Sequence, residues 1–263
     1  MKNKVMQTHV IKKYEQGVLQ DADDLIVLEE PLTITVNGHE FGTMLCTPAD
    51  LEELVLGFLA SEGVIRRADE VDSVLIDEGK GFAYVVLKNK QGFDPEGAFS
   101  KRVIGSCCGK SRQFYFQSDV RGARTILRAP SISAKQCCHL MSTMQEQAED
   151  FKQTGGLHNA SLASVDGILV TRSDIGRHNA LDKLFGYCLR NNVSLKNKVI
   201  VFSGRISSEV LLKVSKIGVG IIIAKSAPTT LAIELARDLE ITLVGFVRGD
   251  RFNVYSRGDR VVG

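Results

Sequence analysis

The sequence has no run of apolar residues close to the roughly 20 that a membrane-spanning helix requires. Residues 1–20 are polar and mixed in charge, and they lack the apolar stretch of a signal peptide. The net charge of +2 is too small to indicate a surface for nucleic acid or for an anionic membrane. We therefore expect a cytoplasmic protein that binds neither, with residues 1–20 as a loosely held leader.

The chain also has too few cysteines, six in 263 residues, to form a disulfide scaffold. A reducing compartment would keep each of them as a free thiol. Cys46 falls in a predicted strand and Cys188 on the apolar face of a predicted helix. We interpret both as small buried core residues. The pairs at 107–108 and 137–138 need separate interpretations.

The second pair belongs to a helix that Ser133 or Ser131 caps and that runs to about Phe151. Cys137 lies on its apolar face, whereas Cys138 and the following histidine lie off it. Adjacent residues on a helix point about 100° apart, so three in a row cannot all ligate one metal ion. The pattern favours a structural helix over a metal site.

The first pair lies in the stretch 103–112, where small and polar residues surround Cys107 and Cys108. Lys110 and Arg112 follow closely, and nearby cations lower the pKa of a thiol towards the nucleophilic thiolate. Two glycines leave the backbone free to bend. The stretch predicts a flexible loop with a reactive thiol, and an incidental exposed loop or a metal-ligand pair stays open as an alternative.

The C-terminal third alternates apolar strands with amphipathic helices. The predicted strands are 199–202, 221–224 and 241–246, and this alternation implies a parallel sheet with right-handed crossovers. The N-terminal part instead predicts strands and one long helix. We expect an α/β protein with a strand-rich domain at residues 1–125 and an α/β domain at residues 126–263.

Small, hydroxyl-bearing and cationic residues follow each of these three strands. Ligands of parallel sheets bind beyond the carboxyl ends of the strands, and several cations there suit a phosphate-rich ligand. No Walker A or Gly-x-Gly-x-x-Gly signature is present, so the site would be of a less familiar type. The candidate residues are Ser203, Gly204, Arg205, Lys225, Ser226, Arg248, Gly249, Asp250 and Arg251.

A predicted helix N-terminus supplies a second group of candidates. Arg177, His178 and Asn179 gather where backbone N–H groups and the helix dipole favour an anion. His158 and His178 both follow glycine-bearing turns, which singles them out as a pair. Ser226 and Pro228 are predicted to open another helix at the same edge.

Taken together, these stretches resemble the family of formate dehydrogenase accessory sulfurtransferases over nearly the whole chain. The resemblance implies a homodimeric sulfur carrier with a cytidine-deaminase-like α/β domain and a flexible cysteine loop. It implies sulfur transfer from a cysteine desulfurase, as a persulfide, to the molybdenum bis(molybdopterin guanine dinucleotide) cofactor of formate dehydrogenase. The matching segments are 29–32, 47–51, 57–59, 154–158, 176–180, 203–205, 226–229 and 245–249.

The resemblance also implies roles for particular residues. The family's cofactor-binding stretch corresponds to Phe246, Val247, Arg248, Gly249, Asp250 and Arg251. Many relatives carry Cys-x-x-Cys-Gly in the loop, where this chain has Gly105 at the first cysteine position and Cys108 at the second. Cys107 is a candidate substitute for the missing cysteine. Either Cys107 or Cys108 is therefore the expected persulfide carrier.

Two other functions compete with this interpretation. A zinc nucleobase deaminase would need His-x-Glu and Pro-Cys-x-x-Cys, and the sequence contains neither. A non-catalytic escort protein, which binds the cofactor and delivers it to the apo-enzyme, would need no reactive cysteine. Replacement of both loop cysteines distinguishes the escort from the sulfur carrier.

Overall fold

The computed structural model describes residues 5–89, 103–104, 123–148 and 154–263. The predicted cysteine loop lies outside the described residues, apart from its first two positions. The assignment of the carrier thiol to Cys107 or Cys108 therefore stays a prediction.

The N-terminal residues form a two-stranded antiparallel ribbon rather than the expected loose leader. Strand β1 is Met6–Glu15 and strand β2 is Val18–Val27. Gln16 and Gly17 both have positive φ, at 51° and 87°, as a two-residue hairpin turn between twisted strands requires. The leader prediction was wrong because the strands carry many charged side chains and Gln16-Gly17 is a weaker turn signal than Asn-Gly.

A five-stranded sheet follows, with the order β5-β6-β3-β4-β7. Asn37-Gly38, a sequence that favours a two-residue hairpin turn, forms the turn between β3 and β4, and both residues have positive φ. A 3₁₀ turn, Ala68–Glu70, precedes β5. The strands are β3 (Glu30–Val36), β4 (His39–Cys46), β5 (Val71–Asp77), β6 (Phe82–Leu87) and β7 (Val103–Ile104).

Helix α1, Leu51–Ser61, packs beside this sheet. Thr47-Pro48 has the sequence pattern of a helix start and predicts Thr47 as the N-cap, but Asp50 occupies that position with a left-handed backbone. Thr47 is instead buried, and its Oγ1 accepts a hydrogen bond from the Ile175 N–H at 3.2 Å. The hydroxyl group joins distant parts of the chain rather than starting the helix.

The second large sheet has six strands in the order β10-β9-β11-β12-β13-β14. Strands β11, β12 and β13 are parallel as predicted, whereas the other neighbouring pairs are antiparallel, so the sheet is mixed. The strands are β9 (His158–Ser164), β10 (Gly167–Asp174), β11 (Val199–Phe202), β12 (Ile221–Ala224), β13 (Thr242–Arg248) and β14 (Arg251–Ser256).

Helices cover both faces of this sheet. The helices are α2 (Ala134–Gln147), α3 (Arg177–Arg190), α4 (Ser208–Ile217) and α5 (Thr230–Asp238). Alternate residues of a strand face opposite sides. In β11, Val199 and Val201 therefore pack with α2, whereas Ile200 and Phe202 pack with α3 to α5. Two short strands, β8 (Ile132–Ser133) and β15 (Val261–Val262), form a separate parallel pair. In the chain, the 3₁₀ turn Gly258–Arg260 precedes β15.

Ser133 caps α2 as predicted, through a capping box with Gln136, although the helix ends at Gln147 rather than near Phe151.

Three of the cysteines behave as core residues. Cys46, Cys137 and Cys188 are buried, and burial raises the pKa of each thiol to about 12. These three thiols are therefore poor nucleophiles at neutral pH.

One apolar core joins the N-terminal and C-terminal parts of the chain. It contains residues of the five-stranded sheet, of α1 and of α3 to α5. The proposed division at residue 125 stays a prediction. Among the described residues, no helix is both long and apolar enough to cross a membrane.

Helix α1 packs closely on α3 and so joins the two parts of the chain. A Cβ atom added at Gly57 would lie 1.8 Å from the Asp182 carbonyl oxygen, and one at Gly186 would lie 1.8 Å from that of Glu53. Each helix therefore presents a glycine to the backbone of the other. No larger residue fits at either position.

We predict that Gly57→Ala destabilises the protein by about 3 kcal/mol, because the added methyl group overlaps the backbone of α3. On an isolated helix the same change would instead stabilise by about 1 kcal/mol, so the sign is diagnostic. Urea unfolding monitored by circular dichroism measures the effect. Gly167→Ala, where an added Cβ meets nothing within 4 Å, is the control. An unchanged midpoint for Gly57→Ala would contradict the helix packing.

Candidate functional site

The carboxyl ends of β11, β12 and β13 meet at one edge of the six-stranded sheet, where hydrogen bonds connect the three loops. The Lys225 N–H donates to the Phe202 carbonyl oxygen at 2.9 Å. The Ser226 hydroxyl donates to the Ser203 carbonyl oxygen, and the Phe246 N–H donates to the Ser226 carbonyl oxygen, both at 3.2 Å. The structure thus brings the predicted strand-end residues together.

The end of β13 directs an arginine over this edge. The ladder between β13 and β14 is irregular from Gly245 to Arg248, and Phe246 has a left-handed φ of 60° and is half exposed. Such bulges redirect side chains. The Arg248 guanidinium lies 4.9 Å from the centre of the Phe246 ring and donates to the carbonyl oxygens of Lys225 and Val247.

The turn after β13 adds a second exposed arginine. Arg248 and Arg251 are opposite each other in the β13–β14 ladder, with Gly249 and Asp250 in the turn between them. All four residues are exposed. The hairpin therefore presents two guanidinium groups next to the edge.

The loop after β11 approaches the N-terminus of α3 closely. A Cβ atom on Gly204 would lie 2.9 Å from the Phe202 ring and 3.3 Å from the Arg177 Cβ. Arg205 follows as an exposed side chain. Glycine at 204 thus places the β11 loop, and Arg205 with it, beside the first turn of α3.

The loop after β12 differs from the prediction. Helix α5 does not open at Ser226 and Pro228, because Thr229 is its N-cap and accepts a hydrogen bond from the Ala232 N–H. Lys225 and Ser226 belong to the loop before it, and both are half buried. The Lys225 N–H and the Ser226 carbonyl group form hydrogen bonds with Phe202 and Phe246, respectively.

The first turn of α3 contains Arg177, His178 and Asn179, and each of these side chains has different neighbours. His178 Nε2 lies 3.2 Å from Glu209 Oε2 at the start of α4. Asn179 is buried, and its side-chain amide donates to the Leu45 carbonyl oxygen and to Asp174 Oδ1. Arg177 lies next to the β11 loop. Arg177 and His178 border the edge, whereas Asn179 anchors the helix below it.

His158 and His178 do not form the pair that the sequence suggested. His158 begins β9, and its Nδ1 lies 3.5 Å from the Ser203 Oγ. The same Ser203 oxygen accepts a hydrogen bond from the Asn159 N–H. Burial, together with the charge of Arg177, lowers the pKa of His158. His158 is therefore a neutral group against the β11 loop at physiological pH.

A buried ion pair lies beneath the start of α3. Asp174 and Lys183 are fully buried, with 2.8 Å between Oδ2 and Nζ. Asp174 also accepts from the N–H groups of Thr47 and Gly176. Lys183 also donates to the carbonyl oxygens of Thr47 and Ser173. The sequence analysis missed this pair, because nothing in a local pattern shows that a lysine on a helix faces inward.

A cavity of about 350 Å³ lies between α2 and the β13–β14 turn. Burial and the nearby charge of Asp250 raise the pKa of Cys138, which lines this cavity. In the sequence, only the position of Cys138 next to the apolar face of α2 hinted that this thiol is partly buried. The other lining residues are Met141, Ser142, Gln145, Glu146, Val247 and Gly249. Within the described ranges, no three His, Cys, Asp or Glu side chains are arranged to hold a metal ion.

The chain as a whole, which carries this sheet edge, belongs to a known class of proteins. The chain is a member of the FdhD/NarQ family, whose sequence model matches residues 27–262. It is 56% identical over 252 residues to the "Sulfur carrier protein FdhD" of Geobacillus kaustophilus, covering 96% of this chain and 95% of that protein. It is 53% identical over 261 residues to the protein of the same name from Bacillus subtilis, covering 99% of both.

A solved structure shares the fold. The crystal structure described as a formate dehydrogenase accessory protein from Desulfotalea psychrophila superposes with a TM-score of 0.78 at 26% identity. The match covers 98% of this chain and 99% of that one, and so it extends across the β1–β2 ribbon. The ribbon is thus part of the shared fold, although the family's sequence model begins only at residue 27.

We predict that His158 makes the protein less stable in mild acid. Its folded pKa lies below the ordinary 6.5, so the unfolded chain takes up the proton first as the pH falls below 6.5. The free energy of unfolding should therefore fall more between about pH 7.5 and about pH 5.5 in the wild type than in His158→Gln. Equal slopes in the wild type and His158→Gln would refute this assignment.

Proposed function

We propose that this protein is a cytoplasmic sulfurtransferase that carries sulfur for a formate dehydrogenase. It takes sulfur from a cysteine desulfurase as a persulfide on Cys108 or Cys107, and it passes this sulfur to the molybdenum bis(molybdopterin guanine dinucleotide) cofactor, its substrate. Relatives named as sulfur carriers, alike over nearly their whole length, support this proposal. The observation that carries it is the cationic edge formed by the three parallel strand ends.

Sulfur acceptance requires an ionised thiol. The carrier thiolate attacks the outer sulfur of the desulfurase persulfide, the S–S bond of the donor breaks, and the donor cysteine leaves as a thiolate. Cys46, Cys137 and Cys188 are unsuited to this step, because burial raises the pKa of each to about 12. This favours the loop cysteines, to which Lys110 and Arg112 are close in sequence.

The edge suits the phosphates and the guanine groups of the substrate. Guanidinium groups bind phosphate oxygens with two parallel hydrogen bonds, and exposed arginines lie in the loop after β11 and on both sides of the β13–β14 turn. The first turn of α3 adds Arg177 and the helix dipole. We assign substrate binding to Arg177, His178, Ser203, Gly204, Arg205, Lys225, Ser226 and the stretch Phe246, Val247, Arg248, Gly249, Asp250 and Arg251.

We further propose that the C-terminal part has a cytidine-deaminase-like fold and that the protein acts as a homodimer. The mixed sheet with helices on both faces and three central parallel strands supports the first statement. The partners would be the desulfurase and the catalytic subunit of formate dehydrogenase. The sheet edge faces solvent, as delivery of a substrate to another protein requires.

Sulfur loading is expected to depend on the loop cysteines alone. After incubation with a cysteine desulfurase and cysteine, the intact wild-type protein should gain one sulfur atom that a reductant removes. Mass spectrometry of Cys107→Ala, Cys108→Ala and the double variant identifies the carrier. Cys138→Ala, which removes the half-buried thiol on α2, is the matched control and should load normally.

If the double variant gains as much sulfur as the wild type, the proposed carrier site is wrong. If no variant and no wild-type sample gains sulfur, the protein is an escort for the cofactor rather than a sulfur carrier. Loss in one single variant assigns the thiol, and loss only in the double variant shows that both serve.

Guanosine diphosphate, which represents one arm of the substrate, should bind at the edge. Arg248→Ala removes a guanidinium group that is expected to contact phosphate, so the dissociation constant for guanosine diphosphate should rise at least about tenfold. Titration calorimetry measures this constant. Lys196→Ala removes an exposed cation before β11, at the opposite end of the sheet, and should bind normally. Equal affinities of the two variants would exclude Arg248 from the binding site.

A further inference from the structure

The β1–β2 ribbon stands apart from the two large sheets. It forms a sheet of its own, with ten residues in each strand, or about 33 Å of length. An isolated two-stranded ribbon is only marginally stable in water, and both of its edges have unpaired backbone groups. A ribbon of this length therefore needs a surface to pack against.

One face of the ribbon exposes several large apolar side chains to solvent. Residues opposite each other in the antiparallel register lie on the same face. On this face Val10 is 74% exposed, Tyr14 71% and Leu19 63%, and Leu25 is exposed as well. We name it the even face, after the even-numbered residues of β1. These side chains form two exposed apolar patches, Val10 with Leu25 and Tyr14 with Leu19, on either side of the Lys12–Asp21 pair. Exposed apolar patches of this kind mark interaction sites.

The charges on the even face are arranged with opposite signs on the two strands. Lys12 on β1 is opposite Asp21 on β2, with 2.7 Å between Nζ and the carboxylate, and Asp23 is next on β2. The Lys12 and Asp21 side chains are 63% and 65% exposed, so their pairing within one ribbon contributes little stability. They remain accessible to a second partner.

This pattern is complementary to itself. If two ribbons stack with their even faces together, about a two-fold axis parallel to the strands, β1 of one copy lies over β2 of the other. Lys12 then faces Asp21 of the second copy, and Tyr14 faces Leu19 of the second copy. A single surface that carries both halves of each contact is what an isologous dimer requires.

We infer that the even face of the β1–β2 ribbon is the surface through which two copies of this chain associate. The inference rests on the homodimer proposed above and identifies its interface. The charged pair of Lys12 and Asp21 and the apolar pair of Tyr14 and Leu19 each lie at the same height on the two strands, as a self-complementary surface requires. The occupant is therefore a second copy, packed ribbon on ribbon.

A charge exchange tests the inference directly. Lys12→Asp alone places two acidic side chains against each other across the interface, and Asp21→Lys alone places two lysines against each other. The dimer dissociation constant of each variant, measured by sedimentation velocity, should be about 100-fold higher than that of the wild type. An equimolar mixture should restore the dimer, because each contact between the different copies again joins opposite charges. The pair within each ribbon stays broken in the mixture, so restoration reports only the contact between copies.

Paired substitutions on the two faces provide a second test. Tyr14→Ser with Leu19→Ser removes apolar side chains from the even face and should give monomers. Val18→Ser with Ile26→Ser removes exposed apolar side chains from the opposite face and should leave the dimer intact. Circular dichroism checks that all variants fold.

The outcomes separate this inference from the proposed function. A wild-type dimer that survives every even-face substitution, or a charge-exchange mixture that stays monomeric, overturns the ribbon interface only. A monomeric wild type overturns the homodimer, and the ribbon interface with it. Sulfur loading should be unchanged in all ribbon variants, so failure of the sulfur-carrier proposal would be visible separately in the wild type.

Discussion

The buried pair of Asp174 and Lys183 is the interaction on which the geometry of the candidate site depends. Two charges without water are costly unless hydrogen bonds satisfy them, and removal of one partner of such a pair typically costs about 3–5 kcal/mol. Here backbone groups of Thr47, Ser173 and Gly176 satisfy both charges. These groups come from the end of β4, the end of β10 and the start of α3. The pair thus fixes the N-terminus of α3 at the sheet edge.

The same helix also joins the two parts of the chain. Below the ion pair, α1 and α3 pack through Gly57 and Gly186. Asp182 accepts from the Ser61 hydroxyl on α1 at 2.6 Å and binds Lys213 on α4. Helix α3 therefore contacts the N-terminal helix, the sheet and α4 at once.

The sequence predicted what local periodicity and strand direction determine. Strands β11 to β13 are runs of apolar residues between helices, so their parallel order, and with it the meeting of Ser203, Lys225 and Arg248, followed from general rules of connection. The turn at Asn37 and Gly38 was predictable for a similar reason, because these residues tolerate positive φ. Gln16 and Gly17 provide a weaker form of the same signal.

Contacts between distant residues were not predictable. Thr47 has the sequence context of a helix cap, yet it binds Asp174 and Lys183, more than 120 positions away. The cavity beside Cys138 depends on how the β13–β14 turn crosses α2, which no spacing within α2 reveals. His158 and His178 have similar local sequences, but tertiary packing gives them different partners.

The most direct test of the central claim follows the sulfur atom itself. The protein would be loaded with radioactive persulfide and mixed with formate dehydrogenase that contains unsulfurated cofactor, and the label would then be measured on the cofactor extracted from the denatured enzyme. The account predicts label on the cofactor with the wild type, and label retained on the protein with Arg248→Ala, which loads sulfur but binds the cofactor poorly. Label that stays on the wild-type protein, or that leaves the variant equally well, would contradict the account.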